Sequence, residues 1–292
     1  MWNQIIKNMD KRILLPTDFS KNSLNAIHYA MELYATRKCT FYLLHVYQVS
    51  GFSIDGAAYR PQPGERAYEL EQQKTDEAFA KLLAMIKLRP ENPNHTFETL
   101  GSNLPLYEAA QEAIAKEDMD MVIMGTKGMT GARTVIFGTN TMNMMEDLDC
   151  CPVLAIPENL GFGPLEEVVF PTDFKTPFKR RKLKYMLHIA EMHGLTIRVL
   201  HVGKLDRLNA AQQTNKALLG RILQNYAHDY CEVQHKVAQK GIQEFMKGRK
   251  KAIIAFMHQK PSFFKRLFSK PLVQELGYHS EVPVLVLRDT AS

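Results

Sequence analysis

The segment Lys11-Arg12-Ile13-Leu14-Leu15-Pro16-Thr17-Asp18-Phe19 recurs later in the chain as Glu167-Val168-Val169-Phe170-Pro171-Thr172-Asp173-Phe174. In both copies a short apolar run reaches a proline and is followed by Thr-Asp-Phe, a pattern typical of the end of a buried parallel strand. Two further segments recur in the same order: 42–46 returns as 198–202, and 151–156 returns as 282–287. Three ordered matches indicate an internal duplication.

The two copies differ in length. The first two matches lie 155 and 156 positions apart, whereas the closing match is displaced by only 131. The second copy therefore lacks about two dozen residues in its middle. The first copy carries there a loop rich in Gly and Pro, residues 50–64, and a charged stretch of helical character, residues 65–87. We expect two domains, residues 1–158 and 159–292, with the loop as a candidate lid.

Strands and helices alternate in each half. In the first half, strands are predicted at 13–15, 41–49, 96–100, 121–124 and 153–156, and helices after Ser20 and over about 104–116. Ser20 is the expected N-cap of the first helix, and Thr176 and Pro177 are expected to begin its counterpart. The order predicts an α/β fold: two tandem five-stranded parallel sheets with helices on both faces, Rossmann-like. Ligands of such sheets bind beyond the carboxyl ends of the strands, where the strand order reverses.

Composition narrows the class of protein. Hydrophobic residues make up 45% and charged residues 23% of 292 residues, which is typical of a globular protein. No apolar run has the length of a membrane span, the N-terminal segment has no secretory character, and the four cysteines lack metal-ligand spacing. We therefore expect a cytoplasmic protein with no metal site, no membrane partner and its cysteines packed as small hydrophobic residues.

Two basic clusters, residues 179–184 and 247–251, accompany a net charge of +6. Such clusters can meet nucleic acid, but no aromatic residues alternate with these charges as a stacking surface requires. We expect solvated helix faces and no nucleic-acid partner.

A glycine-spaced segment directly follows the predicted strand 121–124. It reads Gly125-Thr126-Lys127-Gly128-Met129-Thr130-Gly131-Ala132-Arg133-Thr134-Val135-Ile136-Phe137-Gly138-Thr139-Asn140. Glycines allow the backbone to approach an anion, and the N-terminus of a following helix supplies positive potential. The Thr139 hydroxyl could donate to a phosphate, and Lys127 or Arg133 could offset its charge. A tight turn explains the same glycines, so the pattern alone leaves both interpretations open.

Together these residues resemble the universal stress protein family. Gly125, Gly128, Gly138 and Thr139 fit the family's ATP-binding signature, Gly-x2-Gly-x9-Gly-(Ser/Thr), and Pro-Thr-Asp-Phe-Ser follows the first strand. The resemblance covers both halves. It implies an adenine nucleotide α-hydrolase-like fold that binds ATP, with or without Mg²⁺, and a role as stress sensor or adaptor for an unidentified protein partner.

The resemblance also implies which residues bind the nucleotide. Adenine and ribose would lie near Asp18 and Val46, and the phosphates along the glycine segment. The expected contact residues are Pro16, Thr17, Asp18, Val46, Met124, Gly125, Lys127, Gly128, Gly138, Thr139 and Asn140. Asp18 could equally cap the helix that begins near Ser20, and His45 is better explained as a packed core residue than as a base.

The second half departs from the signature. With the displacement of 131, the positions of Gly125, Gly128, Gly138 and Thr139 correspond to Phe256, Gln259, Ser269 and Lys270. The run Phe263–Phe268 suggests an amphipathic helix or a packing surface instead. We therefore expect one nucleotide site, in the first half.

Catalysis is not indicated by any motif. The chain has no GxxxxGK[ST] loop, and no nucleophile, base and orienting group stand at a recognisable spacing. A non-catalytic binding protein is favoured over a slow ATPase or nucleotide hydrolase, and over a scaffold with a structural nucleotide. By analogy with the family, the closing strands 153–156 and 284–287 are expected to pair as an intrachain pseudo-dimer, while a homodimer of the whole chain stays open.

Overall fold

The computed structural model describes residues 10–48, 51–52, 58–59, 63–126, 137–158, 160–258 and 281–288. The first-half strands are β1 (Lys11–Pro16), β2 (Cys39–Val46), β3 (Gly51–Phe52), β4 (Ala58–Tyr59), β5 (His95–Ser102), β6 (Met121–Gly125) and β7 (Val153–Ile156). The first-half helices are α1 (Lys21–Leu33), α2 (Arg66–Ile86), α3 (Leu106–Glu117) and α4 (Thr139–Asp147). The second-half strands are β8 (Glu167–Pro171), β9 (Thr196–Val202), β10 (His228–Val233), β11 (Ala252–Met257) and β12 (Val284–Leu287). The second-half helices are α5 (Arg180–His193), α6 (Ala210–Leu223) and α7 (Ala238–Met246), with a 3-10 turn at Leu205–Arg207.

Five parallel strands form the sheet of each half, which confirms the predicted fold class. The order is β7-β6-β1-β2-β5 in the first half and β12-β11-β8-β9-β10 in the second. The order reverses between β1 and β6, and again between β8 and β11. A crevice for a ligand is therefore expected at the carboxyl ends of β1 and β6, where the predicted site residues lie.

The two sheets join through their closing strands. β7 and β12 pair antiparallel, with Leu154 opposite Leu285, so ten of the described strands form one continuous sheet. The two strands are fully buried, and apolar residues from both halves make up each of two hydrophobic clusters. The closing strands thus pair as expected, and the core continues across the junction between the halves.

The first helix of the second half, α5, begins later than predicted. α5 begins at Arg180 with Lys179 as its N-cap, and the prediction of Thr176 and Pro177 was wrong. The reason is Phe178, which is buried and packs against Phe170 and Phe174 with ring centroids 6.0 and 6.4 Å apart. The chain runs inward to bury this ring before the helix can start. In the first half, Ser20 caps α1 as predicted, because its Oγ accepts from the Ser23 N–H at 3.2 Å.

The length difference between the halves lies between β2 and β5. The first half has a 21-residue α2 there, beginning after Glu65 as predicted, whereas the corresponding α6 has 14 residues. Of the candidate lid at 50–64, β3 and β4 form a small antiparallel pair, and most of the remaining loop lies outside the described residues. The lid and the domain boundary at 158 and 159 stay predictions.

The cysteines are less uniform than expected. Cys39 and Cys151 are buried, Cys231 is half-buried and Cys150 is exposed. Cys150 lies with Asp149 on the outside of the turn that leads from α4 into β7, between the buried Leu148 and Cys151. The expectation of buried packing is therefore correct for two of the four and wrong for Cys150.

Candidate functional site

A strained turn at the end of β1 presents Asp18. Phe19 has a φ of +60°, a left-handed conformation that is rare for a bulky residue. Two side chains hold it in place: Thr17 Oγ1 accepts the Phe19 N–H at 3.0 Å, and Asp18 Oδ1 accepts the Ser20 N–H at 3.1 Å. Asp18 is only partly buried and lies at the carboxyl end of β1, where its carboxylate stabilises the turn. Both readings of Asp18, turn residue and ligand-facing acid, are compatible with this geometry.

His45 supports the turn from the neighbouring strand. Its Nδ1 lies 2.8 Å from the Thr17 carbonyl oxygen, and because a carbonyl only accepts, the ring carries its proton on Nδ1 there. The ring also packs on Phe19, 4.4 Å between centroids, and Phe79 of α2 covers Phe19 at 5.4 Å. His45 is therefore a hydrogen-bonded packing residue, as the sequence analysis favours.

The second half repeats this turn. Phe174 has a φ of +55°, Thr172 Oγ1 accepts its N–H at 3.0 Å, and Asp173 Oδ1 accepts the Lys175 N–H at 3.0 Å. His201 Nδ1 lies 3.0 Å from the Thr172 carbonyl oxygen. The duplication thus extends to individual hydrogen bonds. Asp173 stabilises the turn after β8 and does not cap a helix that begins at Thr176.

The N-terminus of α4 is tied to the end of β6. The Gly138 N–H donates to the Thr126 carbonyl at 2.7 Å, and Thr141 Oγ1 donates to the Gly125 carbonyl at 2.9 Å. Gly138 is the N-cap, and within the described part of the chain no side chain caps the first turn of the helix. Thr139 and Asn140 are exposed at this end. The first amides of α4 therefore lie beside the strand end, and none of the described residues provides a side-chain acceptor for them.

These features fit the phosphate chain of a nucleotide. An uncapped helix N-terminus offers N–H donors and the positive end of the helix dipole. The adjacent pairing of β1 with β6, Ile13 opposite Met121, brings the Asp18 turn and the α4 N-terminus to the same edge of the sheet. A pocket of about 470 Å³ between α3 and α4 includes Asn140 in its wall.

The remaining predicted site residues differ in their burial and in whether the structure describes them. Val46 ends β2, partly buried, at the same edge. Pro16 and Met124 are buried within β1 and β6, where only their backbone can shape a site. Lys127 and Gly128 lie outside the described residues. Sequence reasoning missed Thr126 and Thr141, both 2% exposed, because their role is to join backbone segments and no spacing in the sequence signals it.

The register of β11 shows that the residue correspondence between the two halves differs by one position from the predicted one. The Thr126 N–H donates to the Ile156 carbonyl, and the His258 N–H donates to the equivalent Leu287 carbonyl. Gly125 therefore corresponds to Met257, and its assignment to Phe256 was wrong by one residue. Gly125 and Ile156 are 31 positions apart, whereas Met257 and Leu287 are 30 apart, so the segment between β11 and β12 is one residue shorter than its counterpart and a displacement taken from the closing strands does not hold for β11. Gln259, Ser269 and Lys270 lie outside the described residues.

At the carboxyl edge of the second-half sheet, polar side chains of α6 bond to the turn that follows β8. From α6, Gln212 Nε2 donates to the Asp173 carbonyl at 2.7 Å and Asn215 Nδ2 donates to the Phe174 carbonyl at 2.8 Å. These bonds place amide groups on the turn that corresponds to the Asp18 turn. With Met257 at the strand end, the described part of this edge is packed against its own helix.

The second basic cluster is largely paired. Arg249 donates to Glu167 at 2.7 Å, Lys251 lies 2.6 Å from Glu166, and Lys250 lies 3.7 Å from Glu281. Across the described ranges, no group of three His, Cys, Asp or Glu side chains is arranged to hold a metal ion. None of the helices in those ranges has the length and apolar character needed to cross a bilayer.

Comparison with known proteins agrees with the fold. The model of the universal stress protein family matches residues 9–157, just over half of the chain. Universal stress protein MJ0531 of Methanocaldococcus jannaschii is 28% identical over 158 residues, 53% of this chain and 88% of the relative. A universal stress protein from Archaeoglobus fulgidus superposes with a TM-score of 0.66 at 17% identity, over 95% of this chain and 98% of its own. PA1789 of Pseudomonas aeruginosa, described as functionally unknown, superposes with a TM-score of 0.56 at 11% identity, over 98% and 95%. The chain belongs to the universal stress protein family.

Proposed function

We propose that the first half binds ATP or a related adenine nucleotide, and that the protein acts through this bound state as a sensor or adaptor in the stress response. The observation that carries the proposal is the N-terminus of α4, which no side chain of the described residues caps and which Gly138 anchors to Thr126 beside the Asp18 turn. Membership of the universal stress protein family supports the stress-response role.

The geometry supports one orientation of the nucleotide. Asp18 and Val46, at the ends of β1 and β2, can contact the nucleoside, since a carboxylate accepts from ribose hydroxyls or from the adenine amino group. The phosphates then lie toward Gly138, Thr139 and Asn140, where amides and a hydroxyl can donate. The partly buried Asp18 and the N-terminus of α4 follow neighbouring strands at one edge of the sheet, which suits the two ends of a nucleotide.

The two halves provide an internal control for this site. Asp18→Ala and Asp173→Ala each remove a carboxylate that accepts one backbone N–H in the same type of turn, at 3.1 and 3.0 Å. Their structural consequences should therefore be similar. Asp18 lies beside the N-terminus of α4, whereas the residues that follow β11 at the corresponding place lie outside the described part of the chain and lack the glycine signature. We therefore expect Asp18→Ala, and not Asp173→Ala, to weaken nucleotide binding, by about tenfold or more for a lost charged hydrogen bond.

The test is calorimetric titration of the full chain with ATP, with and without Mg²⁺, together with mass spectrometry of nucleotide that co-purifies. We expect one ATP per chain, a weaker affinity in Asp18→Ala and an unchanged affinity in Asp173→Ala. An absence of binding, two nucleotides per chain, or equal losses in both variants would contradict the proposal. Phosphate release over hours, measured on the same samples, separates binding from turnover.

A further inference from the structure

Side chains of the second half bind the C-terminal end of α4. Arg288 Nη2 donates to the carbonyl oxygens of Met145 at 2.6 Å and Met144 at 3.4 Å. The His258 ring interacts with the backbone of Glu146. The last carbonyls of a helix have no intrahelical partner, so these contacts cap α4 from outside its own half.

Burial of the Arg288 guanidinium at this place carries a desolvation cost. It follows β12 and is only 3% exposed, and burial lowers the pKa of Arg288 to about 10, which leaves the guanidinium charged at neutral pH. Its Nε and Nη1 are buried and have no hydrogen-bond partner among the described residues. The helix C-terminus and the nearby Asp147 and Asp149 favour the cation. An apolar side chain would still fill such a place at a lower desolvation cost, so stability alone does not explain the arginine.

The helix that Arg288 caps is the one whose other end faces the proposed phosphates. α4 has nine residues, which corresponds to a length of about 13 Å. A helix this short is marginal without tertiary contacts, and its position depends on what holds its two ends. The first end is held by Gly138 and Thr141 bonds to β6, and the second by Arg288.

We propose that Arg288 is a positioning residue for the nucleotide: by binding the C-terminal carbonyls of α4, the second half fixes the helix whose N-terminal amides receive the phosphates. This inference rests on the proposed function. It gives the second half a role in nucleotide binding, although α6 covers the described carboxyl edge of the second half's own sheet. It also requires that nucleotide binding and the contact between the halves stabilise each other.

The test compares ATP with adenosine. Adenosine lacks the phosphates, so its affinity should depend on Asp18 and Val46 alone. In the full chain we expect Arg288→Met to lower ATP affinity about tenfold, within the usual range of coupling between sites, and to change adenosine affinity by less than about twofold. Arg288→Lys should lose less, since an ammonium group can also cap carbonyls. Hydrogen exchange of α4 amides should be faster in Arg288→Met without any nucleotide present.

His193 supplies the matched control. Its Nε2 donates to the Leu33 carbonyl at 2.8 Å, so it also caps a first-half helix, α1, from the second half. We expect His193→Leu to leave the ratio of ATP to adenosine affinity unchanged. The inference is overturned if Arg288→Met and Arg288→Lys keep that ratio, or if His193→Leu lowers it equally. Failure of the wild type to bind either ligand would instead reject the proposed function. Should Arg288→Met not fold, Arg288→Gln, which is uncharged and shorter than arginine, takes its place as the deciding variant.

Discussion

His45 Nδ1 lies 2.8 Å from the Thr17 carbonyl oxygen, and the same bond is made in the second half by His201 and Thr172 at 3.0 Å. In each half the histidine joins the second strand to the turn after the first. The ring also covers a phenylalanine in the left-handed region, 4.4 Å from Phe19 in the first half. The histidine therefore offsets part of the strain of a turn that no glycine relieves.

Replacing each histidine by alanine should separate stability from binding. His45→Ala and His201→Ala each remove a hydrogen bond and a ring contact, so each should lower the free energy of unfolding by about 1–3 kcal/mol. Only His45→Ala should also weaken ATP binding, because the Thr17 turn presents Asp18. Urea unfolding and calorimetric titration of the same samples measure both effects. A loss of ATP affinity in His201→Ala would show that the turn acts through overall stability.

Much of the fold could be predicted from apolar periodicity and the repeat. The five strands of the first half, Ser20 as a cap and the pairing of the closing strands follow from short-range patterns. The start of α5 could not, because Phe178 is buried by rings that come from the preceding strand and turn. A cap preference of about 1 kcal/mol is smaller than the gain from burying a phenylalanine ring.

The candidate site was predictable only in part. Asp18, Gly138 and Thr139 stand out because special backbone positions and a motif spacing mark them. Thr126, Thr141 and Arg288 act through bonds to backbone carbonyls, and such partners depend on which segments the topology brings together. The register of β11 is likewise set by pairing with β8 and β12, which single-strand patterns cannot fix.

Thr141 tests the attachment of α4 to β6. Thr141→Val keeps the shape of the side chain but removes the buried donor to the Gly125 carbonyl, so the free energy of unfolding should fall by about 1–3 kcal/mol. The first turn of α4 should loosen, and ATP affinity should fall more than adenosine affinity. Thr214→Val is the control, since Thr214 makes a similar bond at 3.0 Å to Ala210 on exposed α6. Equal losses of stability in the two variants would contradict the role of burial.

Gly241 permits the close contact of α7 with β9 in the second half. A Cβ at this position would lie 2.7 Å from Val202 Cγ1 and 3.1 Å from His235 Cβ. Gly241→Ala should therefore destabilise by about 1–3 kcal/mol, although alanine favours helices. Gly220→Ala, on α6, would meet only the Tyr230 hydroxyl at 3.3 Å and should be neutral or stabilising by up to about 1 kcal/mol. Thermal unfolding of both variants checks the difference, and a stable Gly241→Ala would refute the contact.

His188 of α5 should make the contact between the halves sensitive to acid. Burial, followed by the charges of Lys11 and Arg37, lowers the pKa of His188 from 6.5 to about 4, against a smaller opposite effect of Glu191 and Asp120. Its Nε2 is buried and has no hydrogen-bond partner in the part of the chain that the structure describes, so the protonated ring gains no acceptor from those residues.

The sign of the effect follows from linkage. Below pH 6.5 the unfolded chain binds a proton at this residue, whereas the folded protein does so only near pH 4. Stability should therefore fall as the pH drops from about 6.5 to 4, by up to about 3 kcal/mol from this residue. In His188→Gln that share of the loss should vanish, because glutamine does not titrate. Urea unfolding of both proteins at pH 7 and pH 4.5 measures the difference, and parallel losses in the two proteins would show that other groups account for the acid sensitivity.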